Sequence, residues 1–82
     1  MLCQPVVAEQ NGTVSAIDNQ RMARIARLAG APLDKGAGVD LYRKLGDTVQ
    51  QGEPLYAIHA EHESDFAFAC EAAKLANGFT VA

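Results

Sequence analysis

The fold is decided by residues 11–60, which read NGTVSAIDNQRMARIARLAGAPLDKGAGVDLYRKLGDTVQQGEPLYAIHA. Two strand patterns, each a few residues after a glycine turn, enclose a helix pattern and a glycine-rich connection. Nowhere in the stretch do a nucleophile, a base and a third residue that could orient the base occur together. We therefore expect a folded domain that is part of an enzyme rather than a complete one.

The helix pattern carries signals at both of its ends. Asp18 is the expected N-cap, because its carboxylate can accept hydrogen bonds from the free amides of the first turn. Gly30 is the expected C-cap, and Pro32 prevents the helix from continuing. The apolar residues recur at the spacing of one helical face, at Met22, Ile25, Ala26 and Ala29.

Strand patterns flank this helix. We expect strands at residues 4–9, 13–17, 39–43 and 55–60, with a short extended piece around Val49. Asn11-Gly12 is a strong tight-turn signal and predicts a hairpin between the first two strands. Ser64 is the expected N-cap of a second helix that runs to about Asn77 and stops at Gly78.

The predicted order is therefore β-β-α-β-β-α in a single domain spanning residues 1–82. Short strands separated by glycine turns favour a curled or sandwich-like sheet over a parallel doubly wound one, because βαβ units need longer spacing. The fold class we expect is α+β, with a small barrel-sandwich-like β core and two helices.

Composition narrows the functional classes. The 82 residues are 49% hydrophobic and 21% charged, which is typical of a globular domain with a modest core. The net charge of −3 argues against broad nucleic-acid binding. No apolar stretch approaches the roughly 18–20 residues that span a bilayer, and residues 1–4 lack a signal-peptide pattern. We expect a cytoplasmic protein without a membrane anchor.

The cysteines and histidines are the first candidates for chemistry. Cys3 and Cys70 lack CxxC spacing, and we expect free thiols. His59 and His62 lie in the stretch HAEHE, but they are not at the i, i+4 helical spacing that presents two imidazoles to one metal. We expect solvated residues at a strand-to-helix junction, with a metal site as the alternative.

Two further features have both a structural and a functional interpretation. Arg21, Arg24 and Arg27 form a basic stripe on the first helix, which is either a solvated face or a face that binds phosphate or nucleic acid; we expect a solvated face, because acidic residues outnumber basic ones. The segment 30–38 contains three glycines, but it lacks the Gly-Lys-Ser/Thr ending of a phosphate loop and follows a helix rather than a strand. We expect a structural turn there.

The second helix has more apolar surface than one core-facing stripe requires. One stripe contains Phe66, Ala69, Cys70, Ala73 and Ala76, and the other contains Phe68, Ala72, Leu75 and Phe79. Either a small curled sheet covers both stripes, or one stripe faces a surface outside this chain.

Residues 45–55, which read LGDTVQQGEPL, resemble the GD-x-V-x-x-G-x-x-L hairpin of biotinyl and lipoyl carrier domains. In those carriers a lysine in a tight turn soon afterwards receives the cofactor. The corresponding residues here are HAEHE and contain no lysine. The resemblance implies a related barrel-sandwich shape, and a stand-alone carrier module without the acceptor lysine is one alternative function.

A second resemblance covers nearly the whole chain and is to the C-terminal domain of the thymidine phosphorylase and pyrimidine-nucleoside phosphorylase family. Several blocks carry it in the same order: Gly12-x-Val14-x-x-Ile17-Asp18, Ala29-Gly30-Ala31, Lys35-Gly36, Val39-Asp40, Leu45-Gly46-Asp47-x-Val49, Gly52-x-Pro54-Leu55 and Ile58-His59-Ala60. Asp18-Asn19 and residues 27–32 and 34–38 look like the branch that contains type 2 thymidine phosphorylases and archaeal AMP phosphorylases, and Ala31-Pro32 replaces the Gly-Arg common in the bacterial and animal branch.

This resemblance implies an α/β-hammerhead module at the C-terminus of a pentosyltransferase that acts in pyrimidine metabolism. Such enzymes let phosphate displace the base of a nucleoside, giving a free base and a sugar 1-phosphate. The residues that bind phosphate and base lie in the preceding domains, and none maps onto this chain. We therefore expect no catalytic, cofactor-binding or metal-binding residue here, no cofactor, the preceding domains as partners, and a homo-oligomeric parent enzyme.

Overall fold

The computed structural model describes all residues from Met1 to Ala82 and confirms the α+β class. The strands are β1 (Leu2–Val7), β2 (Gly12–Ile17), β3 (Gly38–Leu41), β4 (Thr48–Val49), β5 (Pro54–Ala60) and β6 (Phe79–Val81). The helices are α1 (Asn19–Ala29) and α2 (Glu63–Leu75). Both expected helices are present, β4 lies where a short extended piece was expected around Val49, and β6 was not predicted.

The strands form two three-stranded antiparallel sheets, with the orders β1-β5-β3 and β4-β2-β6. Strand β5 is the centre of the first sheet, where Leu2 pairs with Ala60 and Gly38 with His59. Strand β2 is the centre of the second sheet. Both helices contact β5 and each other, so they cover one face of the first sheet.

The predicted hairpin between β1 and β2 is wrong. Strand β1 pairs with β5, and β2 pairs with β4 and β6. Asn11 lies between β1 and β2, and its Oδ1 accepts a hydrogen bond from the Gln51 amide at 2.7 Å. The segment therefore passes from one sheet to the other. Strand β5, which pairs with β1, is the most deeply buried strand in the molecule. The apolar burial of this pairing outweighs the preference of Asn11-Gly12 for a tight turn.

One apolar core joins the helices to both sheets. The completely buried side chains with the largest volumes are Tyr56, Ile25, Leu55, Ile58, Val14 and Val49. Every fully buried residue is hydrophobic, and no charged side chain lies in the core. At about 25 cal/mol per Å² of apolar surface, burial of this kind is the main contribution to stability.

Helix α1 follows its predicted boundaries because its signals are local. Asp18 Oδ1 accepts a hydrogen bond from the Arg21 amide at 3.0 Å, and Gly30 at φ 121° ends the helix. Met22, Ile25 and Ala29 are buried, as the spacing predicted. The predicted start of α2 is wrong by two residues, because His62 rather than Ser64 occupies the N-cap position and forms no side-chain cap. Glu63 and Asp65 instead place negative charge in the first turn, where the helix dipole favours it.

Candidate functional site

The two histidines do not share a site. His59 lies near the end of β5, with Nε2 2.9 Å from Asp40 Oδ2, whereas His62 Nε2 lies 3.8 Å from Asp34 Oδ2. No group of three or more His, Cys, Asp or Glu side chains is arranged to hold a metal ion. The two imidazoles therefore approach two separate carboxylates.

The Asp40–His59 contact is the closest pairing of titratable side chains in the molecule. His59 lies opposite Gly38, and Asp40 lies opposite Ala57, so the two side chains meet diagonally across β3 and β5. The His59 side chain is 26% exposed, and its Nε2 is buried without a well-oriented hydrogen bond, despite the short distance to the carboxylate. The pair links an edge strand to the central strand, and His59 is less solvated than we expected from its sequence.

The arginine stripe separates into one structural residue and two exposed ones. Arg21 Nε donates to the Ala76 carbonyl at 2.8 Å, and Arg21 Nη2 donates to the Ala72 carbonyl at 2.8 Å. The Ala72 carbonyl also accepts the Ala76 amide, and both carbonyls lie at the end of α2, where a positive charge is favoured by the helix dipole. Arg21 thus ties α1 to α2.

Arg24 and Arg27 are exposed and form no ion pair. With Arg21 they line a shallow, polar depression on α1 that also includes Asp18 and Gln20. Asp18 places a carboxylate at one end of this surface. The arrangement is that of a solvated helix face.

The glycine-rich segment between α1 and β3 is a compact turn. The Asp34 amide donates to the Gly30 carbonyl at 3.0 Å, and the Ala37 amide donates to the Asp34 carbonyl at 3.1 Å. A β-carbon at Gly36 would lie 2.0 Å from the Met1 methyl carbon, so the backbone is in close contact with the chain start. Amides that already donate within the turn are not available to cradle a phosphate, which supports the structural interpretation.

Tyr56 places a hydroxyl group in the core, and this hydroxyl has a hydrogen-bond partner. Its Oη donates to the Asn77 carbonyl at 2.9 Å, and its ring stacks on Phe79 at a centroid distance of 5.6 Å. Burial raises the pKa of the Tyr56 phenol to about 12, and the nearby Arg21 charge partly opposes that rise. The phenol is a structural donor rather than a general acid for neutral pH.

The two cysteines are free thiols, as predicted. Cys3 is exposed on β1, and Cys70 is half-buried on α2. Burial raises the pKa of the Cys70 thiol, and Lys74 partly opposes the change. A raised pKa lowers the thiolate fraction, so Cys70 is a poor nucleophile.

A groove of about 600 Å³ runs between β1 and α2 and is the most apolar depression on the surface. Its walls include Pro5 and Val7 from β1 and Phe66, Ala67 and Cys70 from α2. Only Gln4, Glu9, Lys74 and Asn77 supply polar groups, and they are spread along its length. The groove lacks the convergent polar groups that fix a small ligand.

The two apolar stripes of α2 differ in how far they are buried. Ala69 and Ala73 are buried and Phe66 and Cys70 pack on the core, but Ala76, the last residue assigned to the first stripe, is the C-cap and is exposed. In the second stripe, Phe68 is 63% exposed and Leu75 is 81% exposed. The assignment of Phe79 to this stripe was wrong, because α2 ends at Leu75 and Phe79 packs on Tyr56 from β6.

The stretch HAEHE does not form the lysine-bearing turn of a carrier domain. Its first two residues end β5, and Glu63 begins α2, so the segment joins a strand to a helix. Nothing in this geometry supports attachment of a cofactor at the position suggested by the carrier resemblance.

Two of these contacts were missed by sequence reasoning. The Asp40–His59 pair depends on the register of β3 against β5, which no local pattern gives. The Arg21 contacts depend on the packing of α1 against the end of α2. The only available signal was the position of Arg21 in the first turn of α1, next to the buried face.

Comparison with known proteins gives a consistent result. Residues 13–80 match the family model described as the pyrimidine nucleoside phosphorylase C-terminal domain. A protein of Rhodopseudomonas palustris strain BisB18 named "Putative thymidine phosphorylase" is 54% identical over 80 residues, which is 98% of this chain and 16% of that protein. A protein of the same name from Bradyrhizobium diazoefficiens is 53% identical over 76 residues, which is 93% of this chain and 15% of that protein.

A third relative of that name, from Legionella pneumophila strain Corby, is 52% identical over 67 residues, or 82% of this chain and 13% of that protein. The chain thus spans only 13% to 16% of the length of these curated relatives. Most of each relative has no counterpart in these 82 residues.

Proposed function

The chain belongs to the pyrimidine nucleoside phosphorylase C-terminal domain family, and we propose that it is the C-terminal domain of an enzyme that cleaves a pyrimidine nucleoside with phosphate. The family match over residues 13–80 carries the proposal, and relatives at about half identity over almost the whole chain support it. Thymidine is the first substrate to test, because the relatives' names specify it.

The proposed reaction is a reversible glycosyl transfer. A phosphate oxygen forms a bond to the anomeric carbon of the sugar, the bond from that carbon to the base nitrogen breaks, and the base leaves with a proton. The transition state has oxocarbenium character, so the enzyme must hold phosphate and nucleoside in line and stabilise the departing base. Those groups are supplied by the other domains of the enzyme.

This domain's own polar groups support a structural role. Arg21 is bonded to the end of α2, Tyr56 to the Asn77 carbonyl, and His59 lies against Asp40. Arg21 and Tyr56 are therefore hydrogen-bonded within the domain, and His59 contacts a carboxylate of the same domain. The proposed work of the chain is to shape one edge of the parent enzyme, which we further propose to be cytoplasmic and homo-oligomeric. Neither α1 nor α2 has the length and apolar sequence of a membrane-spanning helix.

An AMP phosphorylase is the second candidate for the parent enzyme. The segments 27–32 and 34–38 resemble that branch as well as type 2 thymidine phosphorylases. In this case a nucleoside 5′-monophosphate replaces the nucleoside as the substrate, and the same bonds are made and broken.

The full-length product of the gene, assayed with phosphate and either thymidine or AMP, tests the proposal. We expect thymine and 2-deoxyribose 1-phosphate in equal amounts from thymidine. Release of adenine from AMP, without turnover of thymidine, favours the second candidate. Failure of a folded full-length product to phosphorolyse either substrate, or other nucleosides, contradicts both.

A further inference from the structure

We draw no further inference here: the strongest candidate, the exposed apolar face of α2 that carries Phe68 and Leu75, supports no proposal because nothing in the structure shows what covers it.

Discussion

The polar side chains that hold this domain together act mainly by hydrogen bonding to backbone groups at the ends of its helices. Arg21 donates to two carbonyls at the end of α2, Asp18 accepts from the first turn of α1, and Tyr56 donates to the carbonyl just beyond α2. All three polar side chains would look available for chemistry from the sequence alone. Because each of these side chains is hydrogen-bonded within the domain, we assign all three a role in stability.

Replacing Arg21 by lysine should destabilise the domain. Lysine keeps the charge but lacks the fork that reaches the Ala72 and Ala76 carbonyls together, so we expect a loss of about 1–2 kcal/mol in the free energy of unfolding. Urea denaturation measures the change. Arg24→Lys is the control, because Arg24 is exposed and unpaired, and an equal loss in the two variants would contradict the helix-linking role of Arg21.

Asp18→Ala should shorten or weaken α1 through loss of its N-cap. The expected cost is about 1 kcal/mol, in line with other N-cap replacements. Asn19→Ala changes the next residue without removing the bond to the Arg21 amide and should cost less. Circular dichroism during urea denaturation compares them, and a larger effect of Asn19→Ala would show that the cap is unimportant.

Tyr56 should make stability fall at alkaline pH. The pKa of the phenol is about 12 in the folded domain, against an ordinary value of 10, so the unfolded chain loses this proton first. The contribution is fully present below pH 10 and is lost as pH rises from about 10 to 12. Tyr56→Phe should remove this part of the alkaline decline.

The Tyr56→Phe variant should also lose about 1 kcal/mol at neutral pH, because the Asn77 carbonyl loses its donor. Tyr42→Phe is the control for the pH profile, since Tyr42 lies exposed on the surface and its replacement leaves the Tyr56 phenol in place. Identical pH profiles for the native chain and Tyr56→Phe would be evidence against this assignment.

At the scale of the elements, β5 determines the stability of the domain. It is the central strand of its sheet and contacts both helices. Ile58→Ala should cost about 2–5 kcal/mol, because the side chain is fully buried and its removal leaves a cavity. In the isolated chain, Leu75→Ala should cost less than about 0.5 kcal/mol, as most exposed sites do. Comparable losses in the two variants, measured by urea denaturation, would contradict this account of the core.

What could be predicted at this scale was local. The boundaries of α1 followed from Asp18 and Gly30, and β5 from its apolar run after Pro54. The partner of β1 could not be predicted from local sequence, because it depends on which strand pairing buries the most apolar area. Strand β6 was missed because three residues after Gly78 are too few to give a period.

In the candidate site, too, features set by local sequence could be predicted, and features set by tertiary packing could not. The expected structural role of the segment 30–38 followed from the absence of a phosphate-loop ending, which the sequence displays directly. The Asp40–His59 pair and the Arg21 contacts needed the register of two strands and the packing of two helices. Sequence reasoning also noticed the second stripe of α2, but only the structure separated the exposed Phe68 and Leu75 from Phe79.

On the scale of the whole molecule, two small sheets and two helices share one apolar core. The charged and histidine side chains that contact one another form separate pairs. The domain has a core of its own, and its polar side chains are spread over separate contacts. This arrangement fits a module that contributes shape to a larger enzyme.

The most direct test of this account compares phosphorolysis by the purified 82-residue chain with that by the full-length gene product at equal molar concentrations. The assay follows sugar 1-phosphate formed from phosphate and the nucleoside or nucleotide that the full-length product accepts. We predict product with the full-length protein and none with the 82 residues alone. Sugar 1-phosphate formed by the isolated chain would contradict the claim that its catalytic groups lie elsewhere in the polypeptide.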